Sequence, residues 1–347
     1  MWMALLEVKD LDIEYMTEKG PLKAITDISF VLKQGERLGL VGESGCGKTT
    51  LAKSLMRLLP DNSKISKGQI IFKGENLVNK TKEDIRKLRW KDISMVAQSS
   101  MNALNPVYRV GDQIVEVILA HSAMSKQTAI KRSEELFQMV GLDRKRLQSY
   151  PHQMSGGMKQ RAIIAMALAL EPALMIADEP TTALDVIMQD RIINQMIQLQ
   201  KNVNSSMIFI THDISVVSET CHTIIVMYGG RMMEKASTRD FFKNPYHPYT
   251  LGLQNAFPSI TDIGKELISI PGSPPNLLEP KQGCRFQDRC PFVTDVCRTE
   301  SPPLKKISKD HIVSCHYTEQ VEKFREETKK NETWQAVQER LVTEEMS

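Results

Sequence analysis

The nine residues from Gly42 to Thr50, reading GESGCGKTT, limit what this chain can fold into more than any other segment. They follow a short apolar run, Leu38 to Val41, and Gly42, Gly47, Lys48 and Thr49 fill the GxxxxGK[ST] pattern of a phosphate-binding loop. Glycines let the backbone curl so that successive N–H groups face phosphate oxygens. A helix starting near Lys48 would add its positive N-terminal end. In this reading the backbone of Gly42, Glu43, Ser44, Gly45, Cys46 and Gly47, with Thr50 just beyond, surrounds the phosphates of a nucleotide. Lys48 is expected to bridge the β- and γ-phosphates, and the Thr49 hydroxyl to ligate Mg²⁺. Cys46 reads as a small residue rather than a redox thiol, because nothing near it in sequence argues for thiol chemistry.

A loop of this kind sits between a strand and a helix, and the rest of the chain supplies the matching sheet. Leu38 to Val41, Leu174 to Ala177, Met207 to Ile210 and Ile224 to Met227 are short continuous apolar runs, as expected of strands covered on both faces. Helical patterns between several of them predict an α/β fold with a mostly parallel sheet, whose ligands bind beyond the carboxyl ends of the strands. There, at the end of ALMIA, stand Asp178 and Glu179. Asp178 suits the Walker-B role of holding Mg²⁺, and Glu179 suits polarisation of an attacking water.

Several classes are disfavoured. The longest apolar run, Ala162 to Leu170, ends at Glu171 and Pro172, far short of the roughly 18 residues expected of a membrane span. The N-terminal MWMALLEVKD has no basic start and carries Glu7 and Asp10, so a cytosolic location is expected. With 45 basic against 42 acidic residues the net charge is +3, and no global field favours nucleic acid.

Between about 99 and 150 the pattern becomes helical, with Ala129, Ser133, Leu136, Phe137 and Val140 at helical spacing and Gly141 as a stop. After about residue 240 prolines accumulate, from Pro245 to Pro280, which predicts an irregular appendage rather than a continued sheet. The expected division is a nucleotide-binding domain over 1–240 with a helical insertion near 99–150, a proline-rich extension over 241–318, and a charged tail over 319–347. That tail, with a weak apolar face at Trp334, Val337 and Leu341, reads as a solvated helix.

With these residues in hand, the chain from about residue 5 to 235 resembles the ABC-type ATPases, because further motifs occur in that family's order. Gln98, after ISMVA, matches the Q-loop glutamine that senses Mg²⁺ and the membrane partner. MSGGMKQR, Met154 to Arg161, matches the signature; Thr182, Ala183, Leu184 and Asp185 look like the D-loop; His212 looks like the switch histidine that contacts the γ-phosphate. Tyr15 stands where the family often stacks an aromatic on adenine. The resemblance implies a P-loop ATPase core with a mostly parallel sheet plus antiparallel β and helical subdomains. It also implies that Ser155, Gly156, Gly157 and Met158 bind the ATP held by a second subunit, the two closing face to face. Where the family usually has LSGGQ, this chain has Met154 and Met158, so a contact from a glutamine side chain at 158 is lost.

SGGM after PHQ, ALNPVYRVGDQI, NPYHPYTLGL and IPGSPPNLLEPKQGCRFQDRC resemble one of the two paralogous ATPases of dipeptide and oligopeptide importers. This narrower likeness implies an ATP-hydrolysing subunit, peripheral on the cytoplasmic face, that powers peptide import; nickel complexes and oligosaccharides are alternative cargoes of such engines. Its partners would be a paralogous second ATPase in a heterodimer, two transmembrane permeases and an extracytoplasmic binding protein. A soluble ABC ATPase of DNA maintenance or translation is the rival reading, but the chain has neither long coiled coils between its Walker motifs nor a second cassette.

Cys284, Cys290, Cys297 and Cys315 fall within 32 residues, separated by five, six and seventeen positions. Four thiols so concentrated, in a chain expected to be in a reducing compartment, can hold Zn²⁺ or an iron–sulfur cluster. These spacings alone do not choose the metal; the family resemblance favours [4Fe-4S]. Cys221, remote in sequence, reads as core packing.

Overall fold

The computed structural model describes residues 4–98, 103–181, 185–256 and 268–346. Two sheets organise the chain. The first is antiparallel, with spatial order β2-β1-β4-β5, built from β1 (Ala4–Thr17), β2 (Gly20–Lys33), β4 (Ser63–Phe72) and β5 (Glu75–Asn76). The second has eight strands in the order β11-β12-β10-β9-β3-β8-β7-β6. Its parallel part is β3 (Arg37–Val41), β6 (Ile93–Val96), β7 (Leu174–Asp178), β8 (Ser206–Ile210) and β9 (Thr223–Tyr228).

The apolar runs become strands because alternate residues enter two different cores. Leu38, Leu40, Leu174, Ile176, Ile208, Ile210, Ile225 and Met227 face the antiparallel sheet, joining Leu6, Ile13, Ile28 and Phe30. Their neighbours Val41, Met175, Ala177, Met207, Phe209, Ile224 and Val226 enter the other core with the helical region. Each strand is thus apolar on both faces, and period-two alternation is hidden in its composition.

Among the helices, α1 (Lys48–Leu55) follows the glycine loop, α3 (Val110–His121) and α4 (Lys126–Met139) form the helical layer, and α5 (Gly156–Ala167) begins at the SGG segment. Between α1 and α3 lies the short α2 (Lys82–Leu88). Ser125 caps α4 by accepting from Thr128 N at 3.2 Å, Ala129, Ser133, Leu136 and Phe137 form its buried face, and Gly141 ends it at φ 68°. Residues 99–102, at the expected start of this insertion, lie outside the described residues. Further on, α6 (Val186–Val203) precedes β8, and α7 (Ile214–Thr220) follows it.

The expectation that the chain beyond 240 leaves the sheet is not met. After β10 (Arg231–Ser237), α8 (Thr238–Lys243) and α9 (Pro248–Asn255), the strands β11 (Leu304–Ser308) and β12 (His311–Ser314) add to the sheet, with Glu234 opposite Val313. This covers what would have been an open edge at β10. Tyr249 and Phe286 are buried with Tyr228 in the main core. Among the described residues the extension packs into the core of the eight-stranded sheet instead of forming one of its own. The buried Glu234 carboxylate secures the join, accepting from Tyr246 N at 2.9 Å and His247 N at 3.0 Å and pairing with His311 Nε2 at 2.7 Å. Nor is the tail a solvated helix. After α10 (Asp295–Thr299) and α11 (Val321–Glu327), α12 (Asn331–Met346) buries Trp334 and Val337, and Trp334 Nε1 donates to Thr328 O at 2.9 Å.

Candidate functional site

The glycine loop connects β3 to α1 at the carboxyl end of the parallel sheet. Gly42, Gly45 and Gly47 have φ of 145°, 77° and 103°, a range L side chains rarely adopt. A Cβ on Gly42 would lie 2.1 Å from Met227 O, and one on Gly47 2.8 Å from Ala24 O. Both sequence expectations for this loop thus acquire a steric cause. On the sequence expectation that this loop cradles phosphates, Gly42→Ala should weaken MgATP binding tenfold or more, since strain of about 1–3 kcal/mol falls on the loop. Equilibrium titration with a fluorescent ATP analogue checks this; an unchanged Kd would show that the loop does not need its present shape.

Lys48 curls over its own loop, with Nζ donating to Gly42 O at 2.6 Å and to Glu43 O at 2.9 Å, and 3.5 Å from Cys46 Sγ. Its charge is therefore already directed at the loop's centre. Burial pushes the Cys46 thiol pKa up, as suits the inert role read for it. Asp178 is 1% exposed. Burial raises its pKa, against a hydrogen bond from the Thr49 hydroxyl that lowers it, and its Oδ2 has no hydrogen-bond partner among the described residues. A buried, unsatisfied carboxylate oxygen beside a threonine hydroxyl is an oxygen donor set that a hard cation such as Mg²⁺ would satisfy.

Glu179 takes a left-handed φ of 50°, and its N–H donates to Ile210 O at 2.8 Å. This turns its carboxylate toward the glycine loop's side of the sheet end. Gln98 Nε2 donates to Oε2 at 3.1 Å, and His212 Nδ1 lies 3.1 Å from Oε1. Three residues separated by 81 and 33 positions thus meet at one carboxylate. With Tyr15, whose hydroxyl is 3.2 Å from Thr50 Oγ1, they line a cleft of about 590 Å³ that also takes in Gly42, Ser44, Gly45, Gly47, Lys48, Thr49, Thr50 and Asp178. A cleft of that size falls in the range of small-molecule ligand sites, with room for a nucleotide.

Leu22, Ala24, Pro275, Asn276 and Leu277 also line this cleft. Sequence reasoning missed the last three, because SPPNLLEP carries no periodicity and lies far from the loop in sequence. The main-chain bond from Lys23 N to Leu277 O, 3.0 Å, and the packing of Pro275 at Gly229 bring them there.

The SGGM segment does not line that cleft. Ser155 caps α5, its Oγ accepting from Met158 N at 3.3 Å; Ser155 and Gly156 are exposed, Gly157 and Met158 half-buried. The helix start, with its orphan N–H groups, therefore lies outside the cleft at this chain's own phosphate loop. Gln160, inside α5, is buried and donates to Pro180 O at 2.6 Å, joining the helix to the Asp178–Glu179 turn. Asp185 caps α6, accepting from Met188 N at 2.9 Å; Thr182, Ala183 and Leu184 lie outside the described residues.

Cys284, Cys290, Cys297 and Cys315 all line one largely apolar cavity of about 20 Å³. Backbone N–H groups of Phe286, Phe292 and Tyr317 donate to the sulfurs of Cys284, Cys290 and Cys315, opposing burial, which pushes Cys284 up to about 12, Cys315 up to about 11 and Cys290 well above the usual thiol range. Even so, among the described residues no group of three or more His, Cys, Asp or Glu side chains is arranged to hold a metal ion, which tells against the expected cluster in the present side-chain positions. The space between them fits a single water-sized body. Cys221 is buried in the core, as read, with its thiol pushed up to about 12.

A phosphate loop, a buried aspartate and a carboxylate shared by glutamine and histidine, on a mixed sheet with a helical layer, define a P-loop ATPase. Its sequence matches the ABC transporter family model over residues 25–182 and that of the oligopeptide/dipeptide transporter C-terminal region over 233–297. The oligopeptide transport ATP-binding protein OppD of Salmonella typhimurium is 45% identical over 313 residues, covering 90% of this chain and 93% of that protein. The dipeptide transport ATP-binding protein DppD of Lactococcus lactis is 45% identical over 311 residues, covering 89% of each. Among solved structures, the dimeric bacterial ABC transporter cassette MJ0796 superposes with a TM-score of 0.63 at 26% identity, over 67% of this chain and 99% of that one. The chain belongs to the ABC transporter ATP-binding proteins of the oligopeptide/dipeptide type, ATPases whose hydrolysis is coupled to transport. Among the described residues, no helix is long and apolar enough to cross a membrane.

Proposed function

We propose that this chain binds MgATP in the cleft beside Lys48 and hydrolyses it to drive import of dipeptides or oligopeptides. The convergence of Gln98 and His212 on Glu179, beside the phosphate loop, carries the catalytic part of the reading. Gly42 to Gly47 cradle the phosphates, Lys48 swings from the loop carbonyls to the β- and γ-oxygens, and Tyr15 stacks on the base. Bound Mg²⁺, held by Thr49, Asp178 and Gln98, would neutralise phosphate charge. Glu179 takes a proton from the attacking water, and His212 orients the γ-phosphate and Glu179. Ser155, Gly156, Gly157 and Met158 serve the nucleotide of a second subunit, with Asp185 near the shared interface.

The cargo follows from the names of the relatives, OppD and DppD. The remaining parts of the transporter are a paralogous ATPase, two permeases and an external binding protein, and the chain sits on the cytoplasmic face of the membrane. We divide it at about residue 240, the later part serving the site although its strands share the sheet. In vesicles carrying the permeases and partner ATPase, peptide-loaded binding protein should stimulate ATP hydrolysis and peptide uptake. Stimulation by a nickel complex or an oligosaccharide alone would replace the cargo, and no stimulation by any of them would overturn the transport reading.

We propose in addition that Cys284, Cys290, Cys297 and Cys315 hold a [4Fe-4S] cluster. Their support is the donor set itself, four thiols on one cavity, three of them accepting the N–H groups that stabilise thiolates in metal sites. Protein purified without oxygen should be brown and contain about four irons per chain. One zinc per chain in a colourless protein would replace the cluster by zinc, and folded protein holding neither metal would end the coordination proposal.

A further inference from the structure

Beside Cys290 in sequence, Arg289 spends its whole guanidinium on contacts outside the cysteine cavity. Its residue is 3% exposed. Nη1 donates to Glu43 Oε2 at 2.6 Å and Nη2 to Glu43 Oε1 at 2.9 Å, a two-pronged pair across 246 positions of sequence. Its other donors meet Tyr228 OH at 3.2 Å, Pro271 O at 2.7 Å and Ile270 O at 3.1 Å. All five N–H groups are thereby satisfied.

Glu43 is the second residue of the phosphate loop. Its carbonyl accepts from Lys48, and its N–H donates to Tyr249 OH at 3.0 Å, so one loop residue is held from three directions, two of them belonging to the C-terminal extension. The loop must receive a polyanion, yet it carries a carboxylate whose side chain is only 25% exposed. Unpaired, that charge would repel triphosphate and could not be shed to solvent. Paired with Arg289 it is neutralised, and it does not line the cleft. The same arginine holds the carbonyls of residues 270 and 271, a few positions before Pro275 to Leu277 on the cleft wall.

We propose that Arg289 is a positioning residue for nucleotide binding: it neutralises Glu43 and clamps the phosphate loop to the C-terminal extension, so that the affinity for MgATP depends on that extension. This rests on the cleft being the nucleotide site. The test is a double-mutant cycle on the full-length chain, reading the Kd for a fluorescent ATP analogue with Mg²⁺. R289Q should bind about 10- to 100-fold more weakly than the unaltered protein, the scale of losing one partner of a buried charge pair. R289K, which keeps the charge and loses the fork, should recover part of the loss. E43Q should suppress R289Q, returning the double variant to within about threefold of E43Q alone, since without the carboxylate nothing remains to neutralise. If Arg289 only braced the carbonyls of 270 and 271, E43Q would suppress nothing, and that result overturns the proposal, as does R289Q binding within twofold of the unaltered protein. Should R289Q not fold, R289K with and without E43Q completes the same cycle under the same criteria. If the unaltered chain itself fails to bind MgATP, it is the nucleotide-site reading that falls.

Discussion

Glu179→Gln is expected to leave MgATP bound while slowing hydrolysis by about 10² to 10⁴, the usual worth of a positioned general base. The substitution is nearly isosteric, so the turn at φ 50° and the bond from Glu179 N to Ile210 O should persist. Lys48 donates to the loop carbonyls and the Thr49 hydroxyl to Asp178, and these bonds can form with Gln at 179, so affinity should hold. What the amide cannot do is accept the proton of the attacking water. Single-turnover hydrolysis in the assembled transporter, with binding measured separately, distinguishes the two. Near-normal turnover would remove Glu179 from the general-base role; equal loss of binding and rate would make it a structural residue instead.

The second large effect concerns assembly. The start of α5, with Ser155 and Gly156 exposed, does not line the cleft of its own chain. On the proposed reading, in which this segment serves a second subunit's nucleotide, the phosphate site gains one set of N–H donors only on assembly. Such preorganised donors are worth about 10² to 10³ in rate, so the purified chain at low concentration should turn over slower than the assembled transporter by roughly that factor. Steady-state ATPase rates measured beside mass determination in solution check this. Rapid turnover by a demonstrated monomer would refute a site shared between subunits.

In the phosphate loop, sequence and structure agree because the chemistry is local. A backbone that curls around phosphate needs glycine where φ is positive, and the spacing of Gly42, Gly45 and Gly47 shows this without any knowledge of the fold. Likewise the four apolar strands could be read because a strand buried on both faces has no polar residue to spare. Asp178 and Glu179 were legible for a related reason: a carboxylate pair directly after such a strand stands at the edge where ligands bind. That Gln98 and His212 belong to the site was implied by family resemblance, but their meeting at Glu179 was not and follows from no local pattern, since it depends on how β6, β7 and β8 lie side by side.

What only the tertiary structure decided lies mostly beyond residue 240. Proline-rich sequence signals where helices cannot run, but it says nothing of which edge a short strand will join, so the pairing of β12 with β10 and the burial of Trp334 were invisible. The cleft wall at Pro275 to Leu277 and the grip of Arg289 on Glu43 were hidden for the same reason. In sequence Arg289 reads as one charge among many beside a cysteine. Only folding removes it from water, and a buried charge must then find its partner wherever the chain has placed one, here in the phosphate loop.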